Sequence, residues 1–253
     1  MWWVHDVRSL GTIVGVWAHP DDEAYLSAGL MAAAVDAGSR VVCITATRGE
    51  HGTSDARAWP PTHLAVTRTQ ELEASLAALG VQEHHWLGYA DGACASAHEP
   101  TAIESVRSII ETANAETVVT FGPDGMTGHP DHIAVGRWAT VAAAQASSHP
   151  RVLHATKTAD WADHFAYLHE RVAAFGPEGP PRTDESDLAF AITLSSSQLD
   201  QKMTALRAQA TQTAAVIELV GEDSYRNWVA REYFVDARRP SAHTADTDVP
   251  ARS

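Results

Sequence analysis

"TIVGVWAHPDDEAYLSAG" (residues 12–29) joins an apolar strand pattern to an apolar helix pattern through a turn with one histidine and three consecutive acids. The run Thr12–Trp17 is apolar throughout, which is typical of a strand buried on both faces. A helix pattern then runs from Glu23 to Ala37 and is closed by Gly38. Capping that helix requires only one acid. The turn holds three more polar side chains that need another explanation: His19, Asp21 and Asp22.

The same alternation of strands and helices continues along the chain. Further strand patterns occupy Arg40–Thr47, His84–Tyr89, Thr117–Gly122, Arg151–Thr156 and Leu188–Leu194. Further helix patterns occupy His63–Leu79, Thr101–Ala115, 131–146, 160–176 and 196–219. This predicts an α/β fold, with a Rossmann-like, mostly parallel sheet flanked by helices. We expect one domain over residues 1–236 and a disordered tail over residues 237–253, which lack apolar periodicity.

Charge and composition exclude several classes of partner. The net charge of −14, without a basic stripe, disfavours nucleic acid and anionic membranes. No apolar run reaches the roughly 18 residues of a membrane span. The first ten residues lack a signal-peptide pattern and only two cysteines are present, so we expect a cytoplasmic protein. A homo-oligomer is compatible with the sequence.

A second turn, "GHPDHIA" (residues 128–134), repeats the pattern of "AHPDDEA" (residues 18–24). Each follows an apolar strand and begins a helix. The common strand order of a doubly wound sheet, 3-2-1-4-5, places the first and fourth strands side by side, and ligands bind at their carboxyl ends. We therefore expect the two turns to face each other across the active site.

The residues of these turns suit a divalent metal ion. His19, Asp22 and His132 supply two imidazoles and one carboxylate, which suit Zn²⁺ with an open position for water. Non-haem iron is bound by the same set of ligands, so Fe²⁺ or another divalent cation is an alternative metal. Asp21 is then a candidate general base, and His129 a candidate acid oriented by Asp131. For Asp131, and for one of the acids of the first turn, helix capping is the alternative interpretation.

Taken together, these motifs resemble those of the PIG-L/LmbE family of zinc-dependent N-acetylglucosamine deacetylases, which includes mycothiol- and bacillithiol-type enzymes. "AHPDDE" (residues 18–23) and "HPDH" (residues 129–132) are similar to its two signatures, and weaker matches extend over most of residues 12–235. The resemblance implies a zinc-dependent hydrolase that removes the acetyl group of a small N-acetyl sugar. It implies that His19, Asp22 and His132 bind the metal and that Asp21 is the general base. It further implies that His129, oriented by Asp131, stabilises the oxyanion or protonates the amine. It also implies that the loops after the second and third strands hold the sugar, with Arg68, Asp91 and Glu50 as candidate contacts.

Several alternatives remain beside this hypothesis. One is an amidase that acts on a mycothiol-type thiol conjugate, and another is a catalytically silent metal-binding protein. A nucleotide-binding domain is disfavoured because the first turn lacks G-x-G-x-x-G. For Arg68 the alternative is a salt bridge on the helix face with Glu71. Gln209 and Thr211 stand where histidine and serine are common in the family. This departure affects the detail of the pocket wall, and hence the substrate.

Overall fold

Seven strands form one sheet within residues 6–238, the part of the chain that the computed structural model describes. They are β1 (Ile13–Trp17), β2 (Val41–Thr45), β3 (Glu83–Trp86), β4 (Thr117–Phe121), β5 (Arg151–Thr156), β6 (Phe190–Thr193) and β7 (Arg231–Asp236). Their order across the sheet is β3-β2-β1-β4-β5-β7-β6. The predicted α/β class and the adjacency of the first and fourth strands are confirmed.

The sheet is parallel from β3 to β5 and antiparallel beyond it. β1 pairs in parallel with both β2 and β4, and β7 pairs antiparallel with β5 and β6. β1, β2 and β4 are buried at every position, because helices cover both faces of the sheet. β7 was not predicted from the sequence. Its residues alternate between buried and more exposed positions and include three charged side chains.

Helices connect and cover these strands. They are α1 (Asp22–Leu26), α2 (Ala28–Asp36), α3 (Pro61–Ala78), α4 (Glu99–Ala113), α5 (Gly125–Gly128), α6 (Pro130–Gln145), α7 (Ala159–His164), α8 (Ala166–Val172), α9 (Ser196–Ala208), α10 (Ala210–Val220) and α11 (Glu222–Val229). Three predicted helices are interrupted, at Ser27, Phe165 and Gln209, where the backbone leaves helical geometry. Apolar periodicity alone does not reveal these breaks. They matter for the site because Gln209 turns inward at one of them.

Two apolar clusters pack against this framework. The larger lies between the sheet and its helices and includes Trp17, Phe121 and Trp138. The smaller, which includes Trp161 and Trp228, joins α7 and α8 to α9, α10 and α11. No helix within residues 6–238 is long and apolar enough to cross a membrane. The predicted disordered tail lies outside the described residues from residue 239 onward, and the single-domain boundary stays a prediction.

Candidate active site

The two His-Pro-Asp turns meet at the carboxyl ends of β1 and β4. His19 Nδ1 lies 3.1 Å from His132 Nε2, and Asp22 Oδ1 lies 3.3 Å from the same His132 nitrogen. Asp22 Oδ2 is 3.6 Å from His19 Nδ1. All three residues are buried. Ligands at Zn–N and Zn–O distances in a tetrahedral site lie about 3.3 Å apart, so this spacing fits a single cation.

The outer nitrogen of each imidazole faces an oxygen acceptor. His132 Nδ1 is 3.0 Å from the carbonyl oxygen of Gly125. His19 Nε2 is 3.1 Å from Asp91 Oδ1 and 3.3 Å from Asp131 Oδ2. This hydrogen-bond pattern assigns the protons to the outer nitrogens and leaves the two inner nitrogens as lone pairs. Two lone pairs 3.1 Å apart repel each other unless a cation lies between them. The donor set therefore fits a divalent metal ion.

The charges around His19 favour a positive charge at this point. Burial lowers the pKa of His19, but hydrogen bonds to three carboxylates outweigh it and raise that pKa well above its ordinary value. Burial raises the pKa of Asp22, yet the neighbouring imidazoles of His132 and His19 outweigh burial and lower that pKa to about 2. Burial lowers the pKa of His132. The Asp22 carboxylate is thus ionised, the form that binds metals, and a metal ion would supply the positive charge that the carboxylates around His19 favour.

Two other groupings of ligand atoms lie within 4.8 Å: His19 with His129 and His132, and His19 with Asp91 and Asp131. In the first grouping His129 is exposed, whereas Asp22 is buried against both other ligands. In the second, both carboxylates face the outer nitrogen of His19. His19, Asp22 and His132 thus form the arrangement in which three buried side chains direct ligand atoms at one another through the inner nitrogens of both imidazoles.

Asp21 adjoins this centre in a strained backbone conformation. Its φ of 104° lies in the region that favours glycine. Its N–H donates to Glu23 Oε2 at 3.0 Å, and the other oxygen of that buried carboxylate accepts from Ser75 Oγ and Gln209 Nε2. Burial raises the pKa of Asp21 to about 7, although the Arg68 charge acts in the opposite direction. A buried network thus holds a partly exposed carboxylate of raised basicity at the cavity.

His129 and Asp131 are arranged differently from the sequence expectation. We expected the Asp131 carboxylate to orient His129. In the structure that carboxylate is fully buried, lies against His19, and accepts the N–H groups of Gly92 at 2.7 Å and Cys94 at 3.0 Å. His129 Nδ1 accepts the backbone N–H of Asp131 at 3.1 Å. His129 is exposed and lines the cavity, where its ring lies 4.9 Å from that of His19.

The three predicted sugar contacts have different positions. Arg68 and Asp91 both line the main cavity, but Glu50 is not among its lining residues. Glu50 instead accepts the N–H of Asp91 at 3.0 Å. The Asp91 carboxylate accepts the His51 N–H at 2.8 Å. Burial raises the pKa of Asp91, but the hydrogen bond and charge of His19 outweigh burial and lower it overall.

Arg68 is a buried cation that joins the loops of the site. Its guanidinium donates to the carbonyl oxygens of Gly49, at 2.8 Å, and Pro20, and lies 3.5 Å from Asp21 Oδ1. Gly49 has a φ of 62°, and a Cβ there would collide with this guanidinium. The expected alternative, a pair with Glu71, is not formed, since the Glu71 carboxylate accepts from the N–H and hydroxyl of Thr211.

The cavity has a volume of about 540 Å³, and its lining is not confined to the polar centre. Apolar and aromatic residues from the second half of the chain also line it: Trp161, Val172, Phe175, Val216 and Trp228. One cation from the same half, Lys157, lines it as well. None of these residues was predicted from the sequence. The one sequence signal was a lysine placed directly after a predicted strand, at the edge where parallel sheets bind ligands.

Comparison with known proteins places this geometry in a family. The family model described as GlcNAc-PI de-N-acetylase (PIG-L) matches residues 14–144, about half of the chain. A 1D-myo-inositol 2-acetamido-2-deoxy-alpha-D-glucopyranoside deacetylase of Saccharomonospora viridis is 32% identical over 268 aligned residues, which cover 92% of this chain and 97% of that relative. The chain belongs to the PIG-L family. The resemblance expected from the two motifs is thereby confirmed.

Solved structures with the same fold include proteins of different activities. An N,N'-diacetylchitobiose deacetylase from Pyrococcus horikoshii is 17% identical, with a TM-score of 0.65 and coverage of 93% of this chain and 87% of that one. GalB, a 4-carboxy-2-hydroxymuconate hydratase from Pseudomonas putida KT2440, is also 17% identical, with a TM-score of 0.63 and coverage of 91% and 97%. Fold alone therefore does not assign the reaction, which depends on the residues of the site.

Proposed function

We propose that this protein is a zinc-dependent hydrolase that removes the acetyl group from an N-acetylglucosamine-containing small molecule. The observation that carries the proposal is the convergence of His19 Nδ1, Asp22 and His132 Nε2 beside the strained Asp21, at one end of a large cavity. Family membership and the deacetylase activity in the name of the Saccharomonospora relative support the same reaction. A cytoplasmic location and a homo-oligomeric state stay predictions from the sequence.

The metal ion would be held by His19, Asp22 and His132, whose lone pairs converge as described. When bound, Zn²⁺ supplies Lewis-acid polarisation of an acyl oxygen and lowers the pKa of a water molecule. Fe²⁺ or another divalent cation would suit the same donors. Asp131 and Asp91 face the outer nitrogen of His19 and keep that ring in its orientation.

Asp21 is proposed as the general base. Its carboxylate is partly exposed to the cavity, and burial raises its pKa towards neutrality, so it accepts a proton from the attacking water near physiological pH. The Glu23 carboxylate holds the Asp21 N–H, and Arg68 lies beside its side chain. These contacts keep the base in one position, which lowers the entropic cost of reaching the transition state.

His129 is proposed as the group that donates a hydrogen bond or a proton on the opposite side of the acetamide. Its Nδ1 accepts the N–H of Asp131, so Nε2 is the nitrogen that carries a proton in the neutral ring. From the exposed turn at the beginning of α6, this ring borders the cavity beside His19 and His132. It is therefore placed to stabilise a developing oxyanion or to protonate the leaving amine.

Arg68 and Asp91 are proposed as sugar contacts, since both line the cavity beside the polar centre. The Arg68 guanidinium is held by the carbonyl oxygens of Gly49 and Pro20, which fixes its position at the cavity wall. Glu50 is proposed to act indirectly, because its carboxylate accepts the backbone N–H of Asp91.

A panel of N-acetylglucosaminides tests the proposal directly. Zinc-loaded protein is incubated with inositol, malate, chitooligosaccharide and aryl glycosides, and primary amine release is measured. We expect amine release from at least one glycoside. The His132→Ala variant should lose both its zinc and this amine release. His129→Ala is the matched variant, which should keep its zinc while losing most of its activity. Absence of release from every compound would contradict the proposal.

A further inference from the structure

Lys157 is a buried cation without a counter-ion. It follows β5 directly, is 6% exposed and lines the main cavity. Its Nζ lies 4.6 Å from the ring centroid of Trp161. Among residues 6–238, no side chain or carbonyl accepts a hydrogen bond from this nitrogen and no carboxylate pairs with it. Lysine is rarely buried in this way unless it is paired.

The charges near Lys157 leave one positive charge in excess. The two charged groups whose fields reach it most strongly are Lys202 and Glu232. These two pair with each other at 2.7 Å and are both fully buried. The Glu232 carboxylate is also occupied by the N–H groups of Gly29 and Leu30, each at 2.8 Å. The protein therefore neutralises Lys202 and supplies no anion to Lys157.

The surroundings of Lys157 are apolar and aromatic. Trp161 and Trp228 stack with ring centroids 6.3 Å apart, and Phe175 meets Trp161 edge-on. Trp228 Nε1 is buried and has no acceptor among the described residues. His169 packs against Trp161 and Phe175, and burial, aided by the Lys157 charge, lowers its pKa. An ion pair is stronger in such surroundings than in water.

We propose that Lys157, Trp161, Phe175 and Trp228 form a second subsite, which binds an oxyanion, carboxylate or phosphate, carried on an apolar group of the substrate. This inference rests on the proposed function, because the subsite opens into the cavity that contains His19, Asp22 and His132. The inositol glycoside in the name of the Saccharomonospora relative carries no ionisable group. The subsite therefore implies that this chain favours a substrate of a different class.

An anion beside Lys157 would offset the cost of burying its ammonium group. Burial, aided by the Lys202 charge, lowers the pKa of Lys157 to about 7, although the Glu232 charge acts in the opposite direction. A ligand oxyanion would supply that charge, and the aromatic walls would hold its apolar part. A neutral lysine that merely packs on Trp161 is the competing explanation, and it predicts no preference for anionic ligands.

Binding of small fragments tests the subsite without requiring catalysis. Titration calorimetry on zinc-loaded protein compares 2-naphthoate and 2-naphthyl phosphate with the neutral 2-naphthalenemethanol. We expect at least one anion to bind about tenfold more tightly than the alcohol, with Lys157→Met removing the difference and Lys157→Arg retaining it. Equal affinity of anionic and neutral fragments in the unaltered protein would overturn the proposal.

Two controls separate the subsite from the metal and from the proposed reaction. A carboxylate can bind zinc directly, so the titration is repeated with His132→Ala, in which the preference for the anion should persist. Loss of the preference in His132→Ala together with its retention in Lys157→Met would assign the anion to the metal and overturn the subsite. Thermal melting confirms that both Lys157 variants fold.

Turnover then connects the subsite to the substrate. The phenyl, 4-carboxyphenyl and 4-phosphophenyl glycosides of N-acetylglucosamine are compared by kcat/KM. We expect an anionic glycoside to be favoured about tenfold, through KM, and the advantage to disappear in Lys157→Met. Fragment binding that depends on Lys157 without hydrolysis of any glycoside would contradict the proposed deacetylation and leave the subsite supported. Hydrolysis with equal kcat/KM for all three glycosides would contradict the subsite alone.

Discussion

The two His-Pro-Asp turns have the same first three residues but differ in which member is buried. In the first turn His19 is buried at the proposed metal site and Asp21 is the partly exposed residue beside it. In the second turn His129 is exposed at the cavity and Asp131 is fully buried. The burial of the histidine and of the aspartate is thus reversed between the two turns.

This reversal follows from where each helix begins. α1 begins at Asp22, after Asp21 with its φ of 104°, whereas α6 begins at Pro130, directly after His129 in extended conformation. The first turn therefore has two more residues between its histidine and the beginning of the helix, and the side chains that follow point in different directions. Similar motifs thus supply the proposed metal ligand and base from one turn, and the proposed acid and a buried carboxylate from the other.

The largest effect is expected from replacing Asp21, the partly exposed residue of the first turn. Asp21→Asn should lower kcat by about 10²–10⁴-fold, because the amide cannot accept the proton of the attacking water. Zinc content measured by elemental analysis should stay unchanged. Asp36→Asn, at the exposed end of α2, is the matched control and should keep full activity. Full activity in Asp21→Asn would remove this residue from the mechanism.

The next largest effect is expected from replacing Asp131, the buried residue of the second turn. Asp131→Asn should weaken zinc affinity by about 10–100-fold in competition with a chelator, because its carboxylate orients His19. Asp124→Asn, an exposed acid of the same connection, should leave the affinity unchanged. Unchanged zinc affinity in Asp131→Asn, together with an altered pH–rate profile, would instead indicate that Asp131 acts on His129.

The smallest effect tests the network behind the strained turn. Gln209→Ala removes donors to Glu23 and Ser75, so the free energy of unfolding should fall by about 1–3 kcal/mol. We expect kcat to fall less than in Asp21→Asn, with KM unchanged, since Glu23 holds the Asp21 N–H. The control is Gln201→Ala on α9, which also removes a side-chain hydrogen bond, here to a backbone carbonyl, and should leave kcat unchanged. An unchanged kcat in Gln209→Ala would show that Gln209 stabilises the fold without positioning Asp21.

The parallel half of the fold was predictable because its strands are apolar on both faces and are separated by long helix patterns. Since ligands bind where the winding of such a sheet reverses, the sequence alone predicts that His19 and His132 lie close together. The antiparallel strand β7 was not predictable in this way. Its pairing depends on β5 and β6 and not on a local apolar run.

Within the site, residue types predicted which side chains gather but not how each one points. Asp131 was expected against His129 and lies against His19, because the beginning of a helix rotates every side chain that follows. Lys157 and Trp161 come from the less regular second half, where no motif marks them. Gln209 stood out in the sequence only as a departure from the family pattern, and its contact with Glu23 required the tertiary structure.

The position of the metal tests the central claim most directly. Anomalous diffraction at the zinc edge, from crystals of zinc-loaded protein, locates the ion without reference to activity. We expect one peak about 2.0–2.2 Å from His19 Nδ1, His132 Nε2 and an oxygen of Asp22. A principal peak between His19 Nε2, Asp91 and Asp131, or one bound by His129 in place of Asp22, would contradict it.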